Sequence, residues 1–361
     1  MENNRKTTRV FCGVLAAAVL LAAGCTRIEP DGWIDTEPTV TVYPTGITPK
    51  EADGLTRKER FEQVLMKVGE LEVSYGEAVL YMQSTKEQVE TLYGREVWDY
   101  PLDDEGTTYA EKLKAELQKQ LIHTKLVCAQ ADSLGISLTE DEKMDVSEYT
   151  DNYLENFSSP QMEYYGVTRD LVWGIYADNR LATKIYESLT LNIDTDVSDE
   201  EARHPVLWYV FVAKYGLAED GTHTSLGEEE LEGVRERAVR LAAEAAETSD
   251  FYTFARQNTD DTDEIEIIVG RGDMHEALEK IAFGLKQGET SGLIEQEDGY
   301  FIFHCAEYMD EDATDQAKID IILERQDKAF SQSYAVWEAD TKVWVDPVLW
   351  EKIDMTGEKC E

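Results

Sequence analysis

The sequence predicts an α+β protein: a mainly helical domain, completed by the C-terminal helix, with a smaller strand-and-helix domain inserted into it. Three observations lead there. Apolar residues recur at three- and four-residue spacing through much of residues 57–196, which marks amphipathic helices. From Val197 the order becomes strand, helix, helix, strand, helix, strand, a small α+β arrangement. The last segment, 311–361, is too short for a core of its own and is expected to pack back onto the helices. The expected division is a leader at 1–24, a spacer at 25–56, the helical domain at 57–196, the inserted domain at 197–310 and the returning segment at 311–361.

The leader has a basic head (Arg5, Lys6, Arg9) and an apolar run from Val10 to Ala23. Basic head, short apolar run and small residues at a cut site form a secretory signal. The run of about 14 residues falls short of the roughly 20 that cross a bilayer. It ends Leu21-Ala22-Ala23-Gly24-Cys25, which resembles a bacterial lipobox. That resemblance implies cleavage after Gly24, lipid on the Cys25 thiol, and a place at the outer face of the cytoplasmic membrane. Ala22 stands where a larger aliphatic residue is commoner, and the alternative is an ordinary secretory signal with a chance cysteine. Two acyl chains would anchor durably where one would not. Thr26 to Thr56, with Pro30, Pro38, Pro44 and Pro49, reads as a spacer reaching roughly 30 Å as a flexible coil.

The organised part follows. Val68 to Val73 reads as a short strand with a turn at Gly69. Ser74 and Glu77 form a capping box for a helix over Tyr75–Leu92. Leu113, Leu117, Leu121, Ile122, Leu126 and Ala129 give a helix over Tyr109–Ser133 that stops at Gly135. Thr139 and Glu142 cap a helix over Asp141–Glu155, and another runs over Thr168–Leu189. Val206–Ala213 (VLWYVFVA) is a strand-type apolar run. Helices are expected over Glu228–Glu247, from Phe251, and over Met274–Phe283, with strands at Ile265–Val269 and Gly299–Phe303. Thr314 is the expected N-cap of a helix over Asp315–Lys342, before a short strand Val343–Asp346. The C-terminal aromatics Tyr334, Trp337, Trp344 and Trp350 serve the core or line a client cradle.

Charge excludes one class of partner. With 75 acidic against 34 basic residues the net charge is −41, whereas nucleic acid calls for a basic footprint. A solvated surface is the plain reading. A preference for cationic or unfolded clients is the sharper one, and added salt would weaken such binding. Beyond Cys12 and Cys25, the cysteines Cys128, Cys305 and Cys360 are scattered, so no disulfide framework is read. Cys128 and Cys305 fall in apolar patterns and read as core. The histidines His123, His204, His223, His275 and His304 are also scattered, so no metal or other cofactor is expected.

The order of motifs resembles the PrsA/SurA family of extracytoplasmic foldases over about Val64–Ile353. Val68-Gly69-Glu70 before the Ser74-capped helix is similar to that family's opening turn. Leu134-Gly135-Ile136-Ser137-Leu138-Thr139 with Glu142 resembles its helix junction. Residues 206–306 look like a parvulin domain, matching best at Ser249-Asp250-Phe251, Ala282-Phe283, Leu285, Gly288-Glu289, Ser291 and Gly299-Tyr300-Phe301-Ile302. The resemblance implies a SurA-like chaperone domain, peptidyl-prolyl isomerase activity, and unfolded or newly exported polypeptides as partners.

The departures fall on the chemistry. Where a parvulin has a histidine in the first strand, this chain has Trp208 or Tyr209, and His204 lies too early. Phe301 takes the second histidine's place, and His304 lies three residues on, which turns it to the other face of a strand. The family's cysteine-or-aspartate position falls at Asp260 or Asp261, which otherwise read as a hydrated acidic loop. The glycine-rich stretch is reduced to Gly270-Arg271-Gly272-Asp273. Met274, Leu278 and Phe283 stand where the family lines its proline pocket, and would otherwise be plain core. The implied catalytic set is Asp261, Asp260 and Tyr209; the implied substrate set is Met274, Leu278, Phe283 and Phe301.

Isomerisation makes no covalent bond. Its barrier, roughly 20 kcal/mol, is amide resonance. A catalyst needs an apolar slot and polar groups that favour the twisted amide, so loss of the histidine pair does not exclude activity but is expected to leave it weak. The competing reading is a holdase without catalysis. No GxSxG or HExxH motif supports a hydrolase, and the long helical half lacks the βαβ alternation of a solute-binding protein.

Overall fold

The computed structural model describes residues 40–41, 48–103, 105–218, 222–261 and 265–354. The expected leader and Cys25 lie outside these residues. The chain forms two compact units. One holds the described residues up to Asn192 together with those from Asp327 onward; the other is Ile193–Gln326. No helix among the described residues is long and apolar enough to cross a membrane.

The first unit opens with β1 (Val40–Thr41), α1 (Pro49–Gly54), α2 (Arg57–Phe61), β2 (Val64–Val68), β3 (Leu71–Ser74) and α3 (Tyr75–Tyr93). After a 3₁₀ turn come α4 (Tyr109–Cys128), α5 (Ala131–Leu134), α6 (Glu140–Leu154), α7 (Ser159–Tyr165) and α8 (Arg169–Thr190). The second unit contains α9 (Asp199–Ala202), β4 (Val206–Ala213), β5 (Tyr215–Leu217), β6 (His223–Ser225), α10 (Glu228–Glu247), α11 (Phe251–Asn258), β7 (Glu266–Ile268), α12 (Glu276–Ala282), β8 (Ile294–Glu295) and β9 (Gly299–Glu307). Helix α13 (Glu311–Asp340) belongs to the second unit as far as Gln326 and to the first beyond it; β10 (Val343–Val345) and α14 (Pro347–Glu351) end the first unit.

In the first unit the C-terminal segment completes both sheet and core. β10 pairs antiparallel with β2 and parallel with β1, giving the order β1-β10-β2-β3. Val343, Val345, Leu349 and Ile353 join Leu65, Val79, Leu121 and Ile122 in one apolar cluster. Full burial of a side chain such as Leu121 stabilises by about 1.5–3 kcal/mol.

Two caps differ from expectation. The Ser74 hydroxyl accepts from the Glu77 N–H at 3.1 Å, but the Glu77 carboxylate does not return to Ser74. It lies 3.0 Å from the buried Lys125 Nζ, which also bonds Asp178 at 2.5 Å. Burial raises the Glu77 pKa against the pull of Lys125. Burial alone would lower Lys125, but Glu77 and Asp178 outweigh it and hold that pKa up. A buried ion pair needs such partners merely to offset desolvation. Thr314 is not an N-cap either. It sits inside α13, is buried, and its hydroxyl accepts from the His204 N–H at 3.2 Å. The helix starts earlier because Asp310 caps it, accepting from the Ala313 N–H at 2.8 Å.

The expected spacer is shorter than its proline content implies. Val40–Thr41 pairs with Val343 and Trp344, and Pro49–Gly54 is helical. Thr48 and Glu51 form a full capping box there, with Pro49 in the first turn, where its missing N–H costs nothing. Other elements went unpredicted as well, among them α2, α9 and β8, α7, capped by Ser158 and Gln161, the β5-β6 hairpin, and α14, capped by Asp346. Gly135 does end its helix in the left-handed region, at φ +66°.

Candidate functional site

The second unit is built on the sheet β7-β4-β9-β8. Strands β4 and β9 run antiparallel over their full length, with Trp208 opposite His304, Tyr209 opposite Phe303 and Phe211 opposite Phe301. Because side chains alternate along a strand, this register sorts every aromatic residue to one face or the other.

One face is covered by α10 and α11. There Val210, Val212, Tyr300 and Ile302 pack with Ala238, Leu241, Ala245, Phe251 and Ala255. Trp208 and His304 are on this face. The His304 ring stacks on Trp208 at 5.7 Å and on Phe251 at 4.8 Å, and its Nδ1 lies 2.8 Å from the Thr290 hydroxyl. Burial lowers its pKa. His304 is thus a packing residue on the far side from the site, as the strand spacing predicts.

The opposite face holds the candidate slot. Leu207, Tyr209 and Phe211 from β4 and Phe303 and Cys305 from β9 form a buried apolar floor, with Phe301 half-buried beside them. Met274, Leu278 and Phe283, from α12 and its flanks, pack half-buried against that floor. The structure therefore brings together all four expected substrate residues. The aromatic residues are in ring contact: Phe301 lies 4.8 Å from Phe211, 6.0 Å from Phe303 and 6.5 Å from Tyr209.

The polar group on this face is a pair. The Tyr209 hydroxyl donates to Asp261 Oδ2 at 2.6 Å. The alternatives left by the sequence resolve here: Tyr209, not Trp208, faces the slot, and Asp261, not Asp260, meets it. Asp260 is corrected as a catalytic candidate. Its carboxylate is taken by Arg237 Nη1 of α10 at 2.7 and 2.8 Å and by the Ala213 N–H at 3.0 Å. It ties the end of β4 to α10, a structural task. His204 is also occupied elsewhere, with Nδ1 2.8 Å from the Ala202 carbonyl oxygen.

Phe211 and Arg271 are among the slot residues that escaped the sequence reading. Phe211 follows from Tyr209 by the period of two, once the facing residue of β4 is known. Arg271 lies in the noted glycine stretch, yet only the fold puts its guanidinium carbon 4.3 Å above the Phe283 ring. Among the described residues no group of three or more His, Cys, Asp and Glu side chains is placed to hold a metal ion. Cys128 and Cys305 are free and buried. Burial pushes the Cys128 thiol up to about 12, which leaves it unreactive.

Residues 222–307 match the Rotamase family model, described as a PPIC-type PPIASE domain. Over those residues the second unit is similar to a parvulin-type peptidyl-prolyl isomerase domain. The match starts after β4, so it leaves out the strand that carries Tyr209. No curated protein matches the chain. Solved structures similar to it include the peptidylprolyl isomerase PrsA of Bacillus cereus, at 14% identity over 74% of this chain and 86% of that one, with a TM-score of 0.33. Another is the foldase protein PrsA of Lactococcus lactis, at 12% identity over 79% and 95%, with a TM-score of 0.30. A third comes from the work on PEB4 and Cj1289, SurA-like chaperones of Campylobacter jejuni, at 10% identity over 78% and 97%, with a TM-score of 0.27.

Proposed function

We propose that this protein is a foldase that isomerises prolyl bonds in unfolded, newly exported polypeptides, held at the outer face of the bacterial cytoplasmic membrane by lipid on Cys25. The observation that carries the reading is the Tyr209–Asp261 hydrogen bond at the edge of the apolar slot, within the unit that matches the isomerase family. The slot offers a prolyl ring Met274, Leu278, Phe283 and Phe301. Burying the ring there takes the amide out of water, where its planar form is best solvated. The Tyr209 hydroxyl, oriented by Asp261, supplies the polar contact. It can turn its proton from the carboxylate to the prolyl amide as resonance is lost, and so stabilises the twisted form more than the planar one.

A proline-limited refolding assay tests this. The wild-type chain should accelerate the slow phase, Tyr209→Phe and Asp261→Ala should do so about tenfold less, and a His304→Gln chain should match the wild type. A wild type that suppresses aggregation of unfolded chains yet leaves the slow phase untouched is a holdase without isomerase activity, and the catalytic reading is then wrong. The anchor is tested separately. A full-length chain expressed in bacteria should fractionate with membranes and carry a diacylglyceryl mass on Cys25, and Cys25→Ser should release it. An unmodified wild type would remove the anchor from the proposal.

A further inference from the structure

Two guanidinium groups lie over the Phe283 ring, and one carboxylate holds both. Arg271 Cζ sits 4.3 Å and Arg203 Cζ 5.1 Å from the ring centroid. Arg203 is almost wholly buried, at 2% side-chain exposure. It donates from Nη2 to the Phe283 carbonyl oxygen at 2.5 Å and from Nη1 to the Tyr308 carbonyl oxygen at 3.4 Å, and its Cζ lies 4.1 Å from the Tyr308 ring centroid. It therefore grips both the ring and the backbone that carries it.

Glu200, on α9, connects the pieces. Its Oε2 lies 3.2 Å from Arg203 Nε, at ion-pair distance without an aligned hydrogen bond, and accepts from the Tyr308 hydroxyl at 2.8 Å. Its Oε1 lies 3.6 Å from Arg271 Nη2, which also donates to the Glu200 carbonyl oxygen at 3.2 Å. The loop bearing Arg271 is pinned on both sides. The Gly270 N–H donates to Asp273 Oδ2 at 2.6 Å, and the Gly272 N–H to Glu279 Oε2 at 2.7 Å. A Cβ at Gly270 would stand 2.6 Å from His204 Nε2, so the loop packs tightly against the segment entering β4.

Phe283 is a half-buried ring at the slot wall. Such a ring has room to change rotamer unless something planar rests on it. An arginine does this where a lysine cannot, because the flat guanidinium stacks while its donors stay bonded. We propose that Glu200, Arg203 and Arg271 are positioning residues for the slot. They hold Phe283 at the angle that closes its wall, and so set how tightly a prolyl side chain is gripped. The proposal rests on the reading of this slot as the prolyl site.

The test uses the full chain with ¹³C-labelled phenylalanine and a short Ala-Ala-Pro-Phe peptide as the probe. Arg203 is left alone, since its loss would strand two carbonyls. Arg271 and Glu200 are exposed, at 46% and 58%, and tolerate change. Arg271→Ala should move the Phe283 ring resonances and weaken peptide binding about three- to fivefold. The turnover of bound peptide should stay within about twofold, since no group at the reacting amide is altered. Glu200→Gln should act in the same direction, less strongly, and Arg271→Lys should restore binding only in part.

The outcomes separate cleanly. Unchanged Phe283 resonances and affinity in Arg271→Ala and Glu200→Gln, while Met274→Ala and Phe301→Ala still weaken binding, would overturn the positioning role alone. Full recovery by lysine would overturn the stacking. Binding that survives Met274→Ala and Phe301→Ala as well would overturn the slot reading itself.

Discussion

The two faces of the β4–β9 sheet use the same residue types for opposite ends. Each has aromatic residues from both strands and at least one hydrogen-bonded polar ring. On the helix face, Trp208, His304 and Phe251 stack under α10 and α11. On the slot face, Tyr209, Phe211 and Phe301 meet with only α12 and its flanks above them, and Met274, Leu278, Phe283 and Phe301 stay half-exposed. On the helix face α10 and α11 cover Val210, Val212 and Ile302, and the half-buried His304 is held by Thr290 and two stacked rings. On the slot face the half-buried Asp261 holds the buried Tyr209 beside the half-buried Met274, Leu278, Phe283 and Phe301, the arrangement that the proposed function uses. The difference teaches that cover, not composition, separates a core from a site.

That contrast can be broken first through stability. Ile302 and Phe301 are neighbours on β9 with opposite orientation. Ile302→Ala, fully buried under the helices, should cost about 2–5 kcal/mol. Phe301→Ala should cost less than about 2 kcal/mol, since part of its surface is already wet. Urea unfolding of the second unit reads both. Equal losses would mean that the slot face is as closed as the other. Function should divide the opposite way, with Phe301→Ala impairing proline-peptide binding several-fold and His304→Gln leaving it intact.

Much of the fold was legible because it depends on local signals. The capping boxes at Thr139 and Glu142, the period of Leu113 to Leu126, and the Gly135 stop each specify an element within one or two turns of chain. The box at Thr48 and Glu51 was equally local, but the prolines around it suggested a spacer. The site was legible only in part. VLWYVFVA is apolar at every position, so its alternation could not say whether Trp208 or Tyr209 faces the slot. Only pairing with β9 decides that, some 90 residues away. Two adjacent aspartates were likewise indistinguishable until Arg237 claimed Asp260. Arg203 gave no signal at all. Its burial depends on Phe283 and Tyr308, and nothing near Arg203 in sequence marks them.

The histidines sharpen the comparison through pH, and the larger effect lies in the first unit. His123 stacks on Tyr334 at 4.7 Å, and burial pushes its pKa down to about 4. An unfolded histidine takes up a proton near pH 6.5. Between about 6.5 and 4 the unfolded chain is therefore protonated while the native ring is not. Stability present above that window is lost as pH falls through it, by about 3 kcal/mol. His123→Phe should abolish this loss in the urea midpoint of the first unit.

His304 should do the same on a smaller scale in the second unit, since burial lowers its pKa too. Lowering the pH from 7 to about 5 should shift the second unit's midpoint down, and His304→Gln should remove that shift while keeping a partner for Thr290. Isomerase activity per folded molecule should not follow the same curve, because the ring lies on the face opposite Tyr209. A rate that titrates with His304 at constant folded fraction would mean that the two faces are coupled, and the separation drawn from their cover would fail.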